Sequence, residues 1–139
     1  MSNIYSYKTC TECGLTKRSN SRKGFCSTTC YASHQRKIKI EKWLSGEHNG
    51  MRGKTATAPW IKQYVIETRG HKCEDCGNIE WKGQPILLEL DHVDGDFGNN
   101  KIENLKLLCL NCHGMTPTYR SKNLIGRPRE KYYRKVKVG

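Results

Sequence analysis

Eight cysteines fall into four tight pairs along this 139-residue chain: Cys10 and Cys13, Cys26 and Cys30, Cys73 and Cys76, Cys109 and Cys112. A C-x2-C or C-x3-C turn aims two sulfurs at one point, and two such turns complete a closed tetrahedral metal site. Loop closure favours joining neighbours, so Cys10/Cys13 go with Cys26/Cys30 and Cys73/Cys76 with Cys109/Cys112. Disulfides are the weaker reading. The opening "MSNIYSYKTC" lacks the apolar run of a secretory signal, and no segment reaches membrane-spanning length. The expectation is a reducing cytoplasm, where disulfides are rare, and no membrane partner. Hydrophobic residues make up only 35% of the chain, so a small oily core needs a staple. Two structural Zn²⁺ ions are expected to supply it.

Charge is the second constraint. The formal net charge is +12, and two tetrathiolate zinc centres would lower it to about +8, still strongly basic. Residues 1–55 carry 11 Lys and Arg against 3 acids, residues 121–139 carry 7 against 1, and residues 56–120 carry 7 against 9. Two basic arms therefore flank a slightly acidic middle. Basic arms suit a polyphosphate partner and an acidic centre suits a bound cation. The bland alternative is that the lysines only keep the chain soluble.

Along the chain, residues 1–46 read as one module. A basic loop joins its two knuckles, and Ser27 or Thr28 caps a helix that ends near Gly46, with Tyr31, Ile38, Trp43 and Leu44 among many cations. The pattern resembles the small zinc-ribbon or treble-clef fingers found ahead of nuclease domains. Residues 47–56, "EHNGMRGKTA", read as a linker. A helix follows, with Pro59 in its first turn, Trp60, Ile61, Tyr64 and Val65 on one face, and Gly70 as its stop. Strands are expected at 79–81, 86–92 and 105–109, with a turn at "KGQP".

The stretch "LELDHVDGDFGNN", residues 88–100, ends a strand on an acid and a base and runs into a turn-rich loop. With "ENL" at 103–105 and His113 directly after the last knuckle, this resembles the ββα-metal motif of HNH endonucleases, in its zinc-stapled phage and bacterial branch. The likeness covers residues 57–122. It implies a small, metal-stabilised α+β fold: an N-terminal treble-clef or zinc-ribbon-like finger (1–46), an HNH domain (57–122) and a basic tail (123–139). It also implies the roles: His92 as general base, Asp91 and His113 as ligands of one catalytic divalent ion, and Asn104 as the residue that fixes the loop and orients the base. Double-stranded DNA is the implied substrate, cut to 5′-phosphate and 3′-hydroxyl ends in a bacterial or phage-infected cell.

The residue chemistry agrees. Neutral imidazole, with an ordinary pKa of about 6.5, takes a proton at neutral pH. One hard oxygen and one borderline nitrogen suit Mg²⁺, Mn²⁺ or another first-row ion, and two protein ligands leave positions open for phosphate and water. Adjacent strand residues face opposite ways, so Asp91 and His92 address one site only if the loop after them twists the strand end and frees His92 to swing. Pro117 keeps any helix at His113 short.

Other features weigh less. Asp94 and Asp96 open like a calcium loop, but its closing acid is replaced by Leu105. Asn99 and Asn100 read as turn residues, and His34, His48 and His71 as ordinary surface or core histidines. Arg18, Arg22, Lys23, Arg36, Lys37, Arg127, Arg129 and Arg134 are the candidate DNA contacts, "GRPR" at 126–129 resembling a minor-groove hook. A monomeric phage or homing-type nuclease is the favoured reading. A defence or restriction nuclease, or a non-catalytic zinc-stabilised DNA-binding protein, are the alternatives.

Overall fold

A C-x2-C turn closes on itself when the residue after it accepts a left-handed backbone, and glycine does so at no steric cost. Gly14 (φ 71°) donates its N–H to Cys10 O at 2.9 Å, and Gly77 (φ 75°) donates to Cys73 O at the same distance. The two knuckles are thus built alike. In this computed structural model residues 7–18, 24–54 and 56–119 are described, and the chain divides into two units, Met1–His48 and Asn49–Gly139.

In the first unit, β1 (Tyr7–Thr9) and β2 (Thr16–Arg18) form an antiparallel hairpin around the first knuckle. The helix α1 (Thr28–Leu44) starts at Ser27, whose hydroxyl accepts from the Cys30 N–H at 3.1 Å. Of the apolar residues expected to pack, Trp43 is buried, whereas Tyr31 and Leu44 are exposed; Ile40 is buried instead. Ile40 and Trp43 are three apart and share a helix face. Glu12 ties the knuckle to this helix through Ser33 (2.7 Å), His34 and Lys37.

The second unit opens with β3 (Met51–Arg52) and β4 (Ala56–Thr57), an antiparallel pair. Met51–Arg52 and Ala56, inside the stretch read as linker, therefore belong to paired strands of this unit. Glycines and polar neighbours mark turns as readily as linkers, and composition does not separate the two. Pro59 opens α2 (Pro59–Arg69), Ile61 and Val65 are fully buried one turn apart, and Gly70 (φ 87°) ends it.

The "KGQP" turn is shorter than expected. Lys82 and Gly83 both take positive φ and form the two-residue tip, while Gln84–Pro85 (β6) pair with Glu80–Trp81 (β5). A mirror-image turn of this kind matches the twist of its flanking strands. The next strand, β7 (Leu88–His92), pairs antiparallel with β8 (Leu105–Cys109), Asp91 standing opposite Lys106 and His92 opposite Leu105. Leu88, Leu105, Leu107, Leu108 and Cys109 are buried here. A 3-10 turn (Ile102–Asn104) leads into β8, and α3 (Leu110–Met115) follows it. Thr116 is extended at the C-cap, as the residue before Pro117 must be, so α3 is brief. Arg69 clamps the arrangement: Nη1 donates to Leu105 O (2.7 Å) and Nη2 to Ile102 O (2.8 Å).

Candidate active site

Residues two apart on a strand share a face, and β7 thereby presents Glu89 and Asp91 together. The β7–β8 pair delivers the chain to α3, which sets His113 against both. His113 Nδ1 is hydrogen-bonded to Glu89 Oε2, and its Nε2 lies 3.3 Å from Asp91 Oδ1. A carboxylate oxygen only accepts, so Nδ1 carries a proton; the imidazolium would pair with both carboxylates, and in the neutral ring the Nε2 lone pair faces Asp91. Two such acceptors repel unless a positive charge lies between them. Two ligands about 2.1 Å from one ion, roughly 100° apart, are separated by about 3.2 Å. The observed spacing fits.

Electrostatics point the same way. Asp91 is only 7% exposed, and burial pushes its carboxyl above the usual range, opposed by the charges of His113 and His92. A cation beside such a buried acid would favour its ionised form. The ring of Tyr119 stands edge-on to His113, centroids 4.8 Å apart. Glu89, Asp91, His92 and His113 line one open cleft of about 340 Å³.

His92 reaches that cleft from the other side of the strand end. Its Nε2 is 2.9 Å from Asn100 Oδ1 and 3.5 Å from Thr57 Oγ1. The ring is tethered rather than free to swing. Asn104 works elsewhere: Nδ2 donates to Asp94 Oδ1 (2.9 Å) and Asn99 O (2.8 Å), Oδ1 accepts from Asp94 N (3.1 Å), and its backbone O accepts from Val93 N (2.9 Å). Asp94 also accepts from Asn99 Nδ2 and Asp96 N, and Asp96 accepts from Gly98 N. Both carboxylates that open like a calcium loop are thus occupied by the loop itself. Asn99, Asp96 N–H and Asn104, in that order, hold the Asp94 carboxyl below its usual range.

Asp91, His92 and His113 are brought together, with Asn104 stapling the loop between them. Glu89 belongs to the same group and has no motif to mark it; its signal is its place two residues before Asp91 on a strand. Thr57 and Asn100 carry no signal beyond their residue types.

Each cysteine quartet converges, with one Sγ per residue and all four within 4.8 Å of one another: Cys10, Cys13, Cys26, Cys30 and Cys73, Cys76, Cys109, Cys112. Separations of 3.5 Å (Cys13–Cys26), 3.4 Å (Cys26–Cys30) and 3.9 Å (Cys76–Cys109) exclude disulfides. Thiolates about 2.3 Å from a tetrahedral ion lie about 3.8 Å apart, so zinc fits both clusters. Backbone N–H groups prepare one thiolate in each. That of Cys13 leads in bringing Cys10 down to about 6; burial raises Cys73, but the N–H groups of Cys76, Cys109 and Asp75 take it to about 6. Neighbouring sulfurs, Cys30 first for Cys26 and Cys109 first for Cys112, push those two up to about 12. Each cluster could hold a metal ion.

Of the candidate DNA contacts, Arg18 is exposed, Arg36 is half-buried, and Lys37 is exposed but paired with Glu12. Arg22, Lys23, Arg127, Arg129 and Arg134 lie outside the described residues. Among the described residues, no helix is long and apolar enough to cross a membrane.

Sequence comparison adds an independent finding. Over 61 residues the chain is 56% identical to the H-N-H endonuclease F-TflIV of Escherichia phage T5. Over that stretch the chain is similar to an HNH endonuclease. That stretch is 44% of this chain and 26% of the phage protein, so the HNH likeness spans about a quarter of the relative's length. No family model matches the chain, and no solved structure matches it.

Proposed function

We propose that this chain is a metal-dependent DNA endonuclease of the HNH type. The observation that carries the reading is the 3.3 Å approach of His113 Nε2 to Asp91 Oδ1 in the cleft that His92 also lines. A divalent cation held by Asp91 and His113, whether Mg²⁺, Mn²⁺ or another first-row ion, supplies charge relief for the phosphate and the leaving oxygen when bound. Glu89 keeps the proton of His113 on Nδ1 and so leaves Nε2 available as a ligand. His92, in its neutral form, accepts the proton of the attacking water. Asn104 holds the loop that separates the two strands of the site.

The substrate is double-stranded DNA, cut to 5′-phosphate and 3′-hydroxyl ends, and one site cuts one strand. The quartets hold structural zinc, residues 57–122 together with the strand Met51–Arg52 that pairs onto them form the nuclease domain, and the finger (1–46) and tail (123–139) contribute cations along the phosphates. The test is supercoiled plasmid incubated with Mn²⁺ or Mg²⁺. Native protein converts it to nicked or linear DNA, and His92→Ala does so at least about a hundredfold more slowly. Equal cutting by both proteins, or none by either, overturns the proposal.

A further inference from the structure

Asn100 is buried, 3% exposed, in a segment whose composition marks a turn, and its side-chain amide is surrounded by groups of fixed character. Nδ2 lies 3.1 Å from the backbone oxygen of Asn49 and 3.1 Å from Met51 Sδ. A backbone carbonyl only accepts, so the amide cannot be turned over without setting two oxygens against each other. Oδ1 is thereby fixed toward Thr57 Oγ1, which donates to it at 2.8 Å, and toward His92 Nε2 at 2.9 Å. Since Oδ1 too only accepts, His92 Nε2 must carry a proton. In the neutral ring the lone pair then resides on Nδ1, which has no hydrogen-bond partner among the described residues.

We infer that Asn100, itself held by Asn49 and Thr57, is the positioning residue that sets the tautomer of His92 and makes Nδ1 the atom that accepts the water proton. Resting on the endonuclease reading, this assigns the base to one nitrogen. It also gives the hairpin of Met51–Arg52 and Ala56–Thr57 a part in the site. The step balances simply: Nδ1 takes a proton from water, Nε2 keeps its own, and the imidazolium that forms still donates to Asn100 Oδ1. Asn104, by contrast, acts on the loop and not on the ring.

The test uses full-length, zinc-loaded protein labelled with ¹⁵N at histidine. Long-range ¹H–¹⁵N spectra of the native protein should show neutral His92 as the Nε2–H tautomer, a readout that needs neither activity nor a variant. Asn100→Ala should give a mixture of tautomers and cut plasmid roughly ten- to a hundredfold more slowly, with the DNA concentration for half-maximal rate unchanged. Asn100→Asp keeps an acceptor for His92 but loses the donor to Asn49. It should retain the Nε2–H form and most of the cutting, which a purely structural role for the amide does not allow. Native His92 found as the Nδ1–H tautomer, or Asn100→Asp as impaired as Asn100→Ala in both readouts, overturns the inference. Failure of the endonuclease reading shows separately, as undiminished cutting by His92→Ala.

Discussion

At the scale of the residue, the site sets a buried carboxylate, Asp91, 3.3 Å from the Nε2 of His113, a spacing that a shared cation fits. Asp91 has its carboxyl pushed up by burial, so in protein free of divalent ions its ionised form works against folding. A raised folded-state value means that the contribution of the protonated acid is present below about 3.9 and is lost as pH rises through the raised value. Asp91→Asn should therefore match the native protein in stability at low pH. It should exceed the native protein by about 1 kcal/mol at neutral pH in chelator-treated buffer, while losing all cutting. Urea denaturation of both proteins across that range measures it, and a native protein more stable than the variant at neutral pH contradicts it. Asp91, His92 and His113 were marked as candidates by their types and spacing, and one cleft is lined by all three. Glu89 was half-legible, through strand periodicity. Asn100 was not legible at all, because its meaning depends on Asn49, Met51 and Thr57, more than forty residues away.

At the scale of the element, the loop between β7 and β8 is a closed hydrogen-bonded unit. Asn104 makes three side-chain bonds within it, and Asp94 is their common partner in two. Asn104→Ala should cost about 1–2 kcal/mol, since each bond contributes about 1 kcal/mol and water recovers part of the loss. Amide exchange at Val93 and Asp94 should accelerate well beyond what that loss of stability explains; unchanged exchange at both would count against the loop's dependence on Asn104. The helices α1 and α2 and the strands β7 and β8 form close to where the sequence placed them, although Tyr31 and Leu44 of α1 are exposed. The hairpins do not: Met51–Arg52 pair with Ala56–Thr57 where a linker was expected, and the turn after Trp81 is two residues shorter, because tight turns depend on φ at single positions such as Lys82.

At the scale of the whole molecule, each unit has few buried side chains and a four-cysteine cluster beside them. Metal binding and folding are then one equilibrium. The chain should retain two equivalents of zinc through mild chelation that strips the catalytic ion and stops cutting. Stronger chelation should unfold the cysteine-linked segments. Atomic-emission analysis after each treatment, with circular dichroism alongside, reads both outcomes, and one tight zinc or none contradicts the assignment. The quartets were legible as a whole, since spacing alone decides them. The division of labour around Asp91, His92 and His113 remains the central claim, and Mn²⁺ binding to zinc-loaded protein, followed by electron paramagnetic resonance, tests it most directly. Native protein and His92→Ala should each bind one Mn²⁺ with similar affinity, and Asp91→Ala and His113→Ala should not. Mn²⁺ bound equally by all four proteins, or lost on removing His92 alone, would contradict the account.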